Sequence, residues 1–88
     1  EANIILDRNG QFRVKAQTDI DDFNRTFGTD FSDEDFDTVG GLVLSHLGRL
    51  PKRGEQFRIG DLNIKVVRAD SRRLYALLVE KVRTESAA

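Results

Sequence analysis

Few residues in this 88-residue sequence have side chains that could carry out catalysis. His46 is the only histidine and there is no cysteine, so a nucleophile–base pair would depend on one imidazole. Ser45 precedes His46 directly, and adjacent positions of a helix do not face each other. We therefore expect no catalytic residue, and we expect His46 at a helix end or at the edge of the core, where the helix dipole favours its charge.

Five carboxylates lie close together in the sequence, and their oxygens are ligands that suit Mg²⁺ or Ca²⁺. They are Asp30, Asp33, Glu34, Asp35 and Asp37. The segment lacks the glycine and the final glutamate that an EF-hand loop requires. It is interpreted as a solvated acidic connector that binds Mg²⁺ weakly or not at all, so no metal site is predicted. A hydrolase using these carboxylates is a further hypothesis, but the sequence supplies no partner base for it.

Charge is distributed unevenly along the chain. Residues 19–37 carry eight acids against one base, a net charge of −7, whereas residues 49–73 carry eight bases against three acids, a net charge of +5. Complementary charges of this kind set the orientation and choice of a partner. We predict an interaction surface formed by Arg49, Lys52, Arg53, Arg72 and Arg73. It is expected to meet an acidic surface on a parent protein or on a second copy; attraction between the two segments of one molecule is the alternative.

Nucleic acid is not expected as a partner of this basic cluster. Single-stranded nucleic acid is bound by aromatic side chains interleaved with cations, on domains that are basic overall. Here the isoelectric point is near 5.8, and Phe57 is the only aromatic residue near the cluster and is expected to be buried.

The central element of the predicted fold is the segment 37–55. Its apolar residues Val39, Val43 and Leu47 share one stripe of a helical wheel, and Leu42 and Leu44 widen it on both sides. A stripe this wide predicts a helix largely enclosed by the domain or by a partner. Gly40 and Gly41 lower helix stability by about 1 kcal/mol each, which indicates a close approach of another backbone or a ligand. Close packing of the helix on a sheet is the favoured interpretation, and Gly48 and Pro51 predict where the helix ends.

The remaining segments predict five strands and one further helix. Alternating apolar and charged residues indicate strands, and Thr18 is predicted to cap the first helix. The strands are expected at 4–6, 11–16, 57–59, 62–67 and 74–82, and the first helix between Thr18 and Gly28. The last strand is expected to be covered on both faces. The predicted fold class is α+β, in the order ββ-αα-βββ, with a mostly antiparallel sheet packed against two helices.

Length and composition predict one domain over residues 1–83 and a disordered tail over residues 84–88. The absence of cysteine excludes a disulfide framework and thiolate chemistry. Apolar runs such as 42–44 and 74–79 are far shorter than the ~20 residues that span a bilayer, so no direct membrane insertion is expected. The sequence contains no methionine, even at position 1, which predicts a fragment of a longer chain.

Several separate blocks of the sequence resemble one known family. The phrases DRNGQFRVKAQTDIDDFNRTFG, TVGGLVLSHLGRLPKRGEQF and IKVVRADSRRLYALLV are similar to the CorC/HlyC transporter-associated domain, over roughly residues 4–83. The matching positions include Thr38, the Gly40–Gly41 pair and the arginines of the 70–73 turn. Ser71 departs from the glycine, and Phe36 from the tyrosine, that the family often has at these places.

The resemblance implies a non-catalytic regulatory module at the C-terminus of bacterial proteins. Such proteins also carry a pair of CBS domains, and many add a membrane domain linked to magnesium and cobalt efflux. The implied partners are the CBS and membrane domains of the parent chain, with a homodimer as a further possibility, on the cytoplasmic side of an inner-membrane or membrane-associated protein. The family's fold is grouped with FAD-binding domains. A small-ligand module that binds an adenine or flavin nucleotide at the Gly-Gly helix and the basic loop is therefore the alternative function. No cofactor residue is assigned.

Overall fold

The structure is a computed structural model that describes residues 2–7 and 9–82. Its five strands form one antiparallel sheet in the order β1-β2-β5-β4-β3. The elements are β1 (Ile4–Leu6), β2 (Phe12–Lys15), α1 (Ile20–Phe27), α2 (Val39–Leu47), β3 (Gln56–Ile59), β4 (Leu62–Ala69) and β5 (Leu74–Lys81). The predicted α+β class and the order ββ-αα-βββ are confirmed. The predicted tail, residues 84–88, lies outside the described residues.

Both helices pack on the same face of the sheet, the face to which the strands direct their apolar side chains. Phe23 and Phe27 of α1 and Val39 and Val43 of α2 share a buried core with the sheet. The strands contribute Val14, Ile64, Val66, Leu77 and Val79 to that core, each at most 2% exposed. These side chains lie on one face because successive residues of a strand point to opposite faces.

Helix α2 lies close to Ala16, the residue that follows β2, and Gly40 makes this possible. A Cβ atom at Gly40 would lie 3.1 Å from both the Cβ and the carbonyl oxygen of Ala16. The Gly40 amide donates a hydrogen bond of 2.8 Å to the same carbonyl. The predicted close packing of the helix on the sheet is therefore confirmed. Gly41 faces the preceding segment, since its Cβ would lie 2.8 Å from the Cβ of Phe36.

The helix ends agree with the predicted turn chemistry at all but one position. Gly28 and Gly48 end the helices in the left-handed region, with φ of 68° and 73°, which glycine adopts without strain. The prediction that Thr18 caps α1 is wrong, because Asp19 occupies that position and makes no side-chain cap. The Thr18 hydroxyl is buried and donates instead to the carbonyl of Lys15, at 2.7 Å.

The burial of α2 and of β5 varies along each element. Helix α2 is enclosed only on the side of Val39, Leu42 and Val43, whereas Leu44 is 39% exposed. Ser45 and His46 are also exposed, whereas Leu47, in the last turn, is half-buried and packs against the core. Strand β5 buries Leu77 and Val79 in the core that it shares with α1 and α2. At the alternate positions Leu74 and Ala76 are also buried and Leu78 is half-buried, so the predicted coverage of both faces applies to the first part of the strand.

Candidate functional site

Three of the five predicted interaction residues, Arg49, Lys52 and Arg53, lie in the loop after α2. One of them, Arg49, forms an ion pair within the domain. The guanidinium of Arg49 binds the Glu55 carboxylate through both terminal nitrogens, with Nη1 3.0 Å from Oε1. The Lys52 amide donates to the same Oε1 at 3.0 Å. The hydrogen bonds from Arg49 and from Lys52 lower the pKa of Glu55 to about 2. The side chains of Lys52 and Arg53 are exposed.

The other two predicted residues, Arg72 and Arg73, lie in the turn between β4 and β5. This turn is built around Asp70, whose Oδ1 accepts hydrogen bonds from the Arg72 amide at 2.8 Å and from the Arg73 amide at 2.9 Å. The Tyr75 hydroxyl donates to Oδ2 at 2.9 Å. These three bonds hold the pKa of Asp70 below its ordinary value, and the same phenol–carboxylate bond raises the pKa of Tyr75. The backbone of the turn is thus fixed, and both arginine side chains are exposed.

The five predicted residues do not converge on one pocket. Arg72 and Arg73 line a cleft of about 550 Å³. Its other lining residues include Gly40, Gly41, Leu44 and Tyr75. The three cations of the 49–53 loop are not among the residues that line this cleft. The structure therefore divides the predicted surface into a loop part and a turn part. The turn part, unlike the loop part, adjoins the Gly-Gly end of α2.

The acidic connector, defined here as residues 29–38, forms no regular secondary structure. Asn24 holds one end of it: its Oδ1 accepts from the Phe31 amide at 3.0 Å and from the Thr29 hydroxyl at 2.8 Å, and its Nδ2 donates to the Phe31 carbonyl at 2.9 Å. All five carboxylate residues of the connector are exposed. Within the described residues, no three or more acidic or histidine side chains come together in a group that could hold a metal ion.

A second basic surface, which sequence reasoning did not identify, lies on the face of the sheet away from the helices. Strand register aligns Ile5, Arg13, Leu78, Lys65 and Gln56 in one row across all five strands. The adjoining rows place Glu80 beside Asn63 and Arg58, and Lys15 beside Ala76. We call this the uncovered sheet face, and half-buried Leu78 lies between Arg13 and Lys65 on it. Its cations are Arg13, Lys15, Arg58, Lys65 and Arg68, the last of which pairs with Ala76 in the row of Lys15.

The uncovered sheet face could have been detected only in part from the sequence. The alternation of charged with apolar residues identifies Arg13 and Lys15 as neighbours on one strand face, and Lys65 as outward-facing on another. Strands β2 and β4 are nearly fifty residues apart in the chain, and the register that places β5 between them is a tertiary fact. The sequence therefore shows which side chains of each strand point outward, but it does not show which strands lie beside each other.

His46, the only histidine, lies in the last turn of α2 with an exposed side chain, as predicted for a helix-terminal position. None of the helices among the described residues is long and apolar enough to cross a membrane.

Comparison with known families identifies the class of domain that this fold represents. The transporter-associated domain family CorC/HlyC matches residues 7–83, which is most of the chain. The chain therefore belongs to the CorC/HlyC transporter-associated domain family, as the resemblance of its sequence blocks indicated.

Similar proteins are named for metal efflux. The chain is 62% identical over 68 residues to the magnesium and cobalt efflux protein CorC of Vibrio cholerae, and 51% identical over 67 residues to that of Escherichia coli K12. These matches cover 77% and 76% of this chain. The chain spans 23% of the length of each relative, so the relatives are much longer proteins.

Solved structures agree on the fold. The CorC transporter-associated region of Neisseria meningitidis is 47% identical, with a TM-score of 0.88, and the match covers 92% of this chain and 100% of that one. The corresponding domain of a Xylella fastidiosa hemolysin, in complex with Mg²⁺ and Mn²⁺, has a TM-score of 0.82 over 93% of this chain and 100% of its own. At 24% identity, that second similarity concerns the fold alone.

Proposed function

We propose that this domain is a non-catalytic regulatory module of a magnesium and cobalt efflux or hemolysin-like membrane-associated protein. It acts by docking against the rest of its parent chain, and thereby modulates transport. The family match and the names of the relatives support the connection with efflux. The short span relative to those relatives supports a role as one part of a longer protein.

The observation that carries the proposal is an exposed, positively charged surface on a domain with a well-packed core. Lys52, Arg53, Arg72 and Arg73 all present exposed cationic side chains on loops. The backbones of both loops are fixed by carboxylates, Glu55 in one and Asp70 in the other. Preformed charged loops reduce the ordering cost of binding and guide orientation.

The proposed partners are the CBS and membrane domains of the parent protein, on the cytoplasmic side of the membrane. This part of the proposal rests on the family resemblance. The basic loops would meet acidic surfaces of those domains, and a change in docking would alter the transport they control.

The test uses charge reversal of the loop part, without Arg49. Because Arg49 binds Glu55, its reversal would place two carboxylates together and perturb the loop itself. Lys52→Glu with Arg53→Glu avoids that complication. We expect this double variant to fold normally, to lose association with the remainder of the parent chain, and to fail to restore cobalt tolerance in cells that lack the parent protein.

The matched control is Lys65→Glu with Lys81→Glu, which makes the same change of charge on exposed residues of β4 and β5. Association should also weaken between 0.1 M and 1 M salt, because the screening length falls from about 10 Å to about 3 Å. If the loop variant associates and supports transport as the unaltered domain does, docking through this loop is wrong.

The second candidate function is binding of an adenine or flavin nucleotide, and the cleft beside Arg72 and Arg73 favours it. Two arginines, the exposed ring of Tyr75 and the exposed Leu44 adjoin the Gly-Gly end of α2. Phosphate pairs well with guanidinium groups, and an aromatic ring can stack on a base or an isoalloxazine. A rise in melting temperature with FAD or ATP, abolished by Arg72→Ala with Arg73→Ala, would support this function; no shift with either nucleotide would exclude it.

A further inference from the structure

We propose that the acidic connector of one copy of this domain docks on the uncovered sheet face of a second copy. The proposal concerns self-association of the domain through a surface other than the basic loops, and it goes beyond docking to the parent chain. The acidic connector and the basic sheet face belong to the same molecule. A second copy of the domain therefore offers a surface of opposite charge to each of them.

The first step is the composition of the uncovered sheet face. Arg13 and Lys65 flank Leu78 in one row across the sheet, and Arg58 and Lys15 lie in the adjoining rows. Its one acid, Glu80, accepts a hydrogen bond of 3.2 Å from the Gln11 side chain. A small apolar centre surrounded by charged residues is typical of protein interfaces. The rows that form this face contain no aromatic side chain of the kind that stacks on nucleic acid bases.

The second step is the form of the acidic connector. Its five carboxylate residues are exposed and include the closely spaced Asp33, Glu34 and Asp35. Phe31 packs against the core, with its ring centroid 6.1 Å from that of Phe23, and Asn24 binds the backbone beside it. One end of the connector is therefore held in place before any partner arrives, which lowers the ordering cost of docking.

The third step is that one molecule cannot bring its own two surfaces together. The connector joins α1 to α2 within the helical layer, where Phe36 lies against Gly41. The cations of the uncovered sheet face point away from that layer, on the opposite side of the sheet. The sheet thus separates the two surfaces, and their attraction can be satisfied only between molecules. This favours docking over attraction within one molecule.

The experiment uses the isolated domain, since the matched N. meningitidis chain is a domain of this same extent, covered over 100% of its length. Sedimentation velocity over a concentration series measures self-association. We expect concentration-dependent association that weakens between 0.1 M and 1 M salt as the screening length shortens from about 10 Å to about 3 Å. The face variant, Arg13→Glu with Lys65→Glu, and the connector variant, Asp33→Lys with Asp35→Lys, should each weaken it about tenfold or more, since like charges then oppose each other.

The decisive measurement mixes the face variant with the connector variant. In that mixture every contact between the connector of one variant and the sheet face of the other again joins opposite charges, whether the two variants dock reciprocally or in alternation. Association should therefore return in the mixture although each variant alone associates weakly. Circular dichroism checks that both variants fold. If the reversed face variant does not fold, Arg13→Gln with Lys65→Gln tests the loss of association by itself, and unchanged association of that variant would contradict the proposal.

Two controls separate this proposal from docking to the parent chain. Asp21→Lys with Asp61→Lys reverses two exposed acids outside the connector and should leave self-association unchanged. The loop variant, Lys52→Glu with Arg53→Glu, should also self-associate normally even where it no longer binds the parent chain. The proposal is overturned if the unaltered domain remains monomeric at high concentration and low salt, if either reversal leaves association intact, or if the mixture fails to associate.

Discussion

The two faces of the sheet are built from the same strands but differ in composition: one is apolar and buried beneath the helices, and the other carries exposed cations. On the covered face, Val14, Val66 and Leu77 are fully buried beneath the two helices. On the uncovered face, Arg13 and Lys65 stand one residue away from them along the chain and flank Leu78. The period-two alternation of strands therefore places residues for stability and residues for association at neighbouring positions. A single strand such as β2 or β4 contributes to both.

The sharpest test of this difference compares two adjacent leucines in β5. Leu77 is fully buried on the covered face, so Leu77→Ala should lower the free energy of unfolding by about 2–5 kcal/mol, through lost transfer energy and a cavity. Leu78 is half-buried on the uncovered face, so Leu78→Ala should cost only about 1 kcal/mol, since less apolar area is lost. Urea unfolding measures both. Equal losses would show that the two faces do not differ in their contribution to stability.

A second test adds volume between the covered face and α2. The new side chain in Gly40→Val would press on the backbone of Ala16, which follows β2 and whose amide donates a hydrogen bond to the Tyr75 carbonyl, so we expect a loss of about 3 kcal/mol. The new side chain in Gly41→Val would lie 2.8 Å from the Cβ of Phe36, so the connector must shift and we expect a loss of the same order. Thermal unfolding of both variants measures the two effects. If Gly40→Val melts as the unaltered domain does, the close approach of α2 is not required.

A third test concerns the charged loop beside the sheet, and it depends on pH. The folded pKa of Glu55, about 2, lies below its ordinary value of 4.5, so ionised Glu55 stabilises the folded state above pH 4.5. This contribution is lost as pH falls through about 2. Glu55→Gln removes it, so the difference in free energy of unfolding between the two proteins should shrink as pH is lowered across this interval. A difference that is independent of pH would contradict the Arg49–Glu55 pair.

The smallest expected effect on stability is on the uncovered sheet face. Arg13→Gln with Lys65→Gln should change the free energy of unfolding by less than about 0.5 kcal/mol, because both side chains are exposed. The same double variant should reduce self-association. A large loss of stability would mean that these cations support the fold itself, and the division between the two faces would then be wrong.

The five residues of the predicted interaction surface lie in two separate parts of the fold, for a structural reason. Arg49 was grouped with the interaction residues, yet it is bound to Glu55, six residues further on, because the loop after α2 folds back. Arg72 and Arg73 were grouped with it by charge alone, but they adjoin the Gly-Gly end of α2. Nearness along the chain and likeness of charge do not determine which loops meet, since that depends on how the strands are ordered.

The sequence by itself determined the elements and their order, because the signals for them are local. Alternation marked the strands, apolar spacing marked both helices, and Gly28 and Gly48 marked the helix ends, where left-handed backbone is needed. Only the tertiary structure decided that β5 lies between β2 and β4, and hence that Arg13, Leu78 and Lys65 form one row. It also decided that α2 is covered on one side and that the acidic connector and the basic sheet face lie on opposite sides of the molecule. Those are relations between segments distant in the chain, and local periodicity contains no information about them.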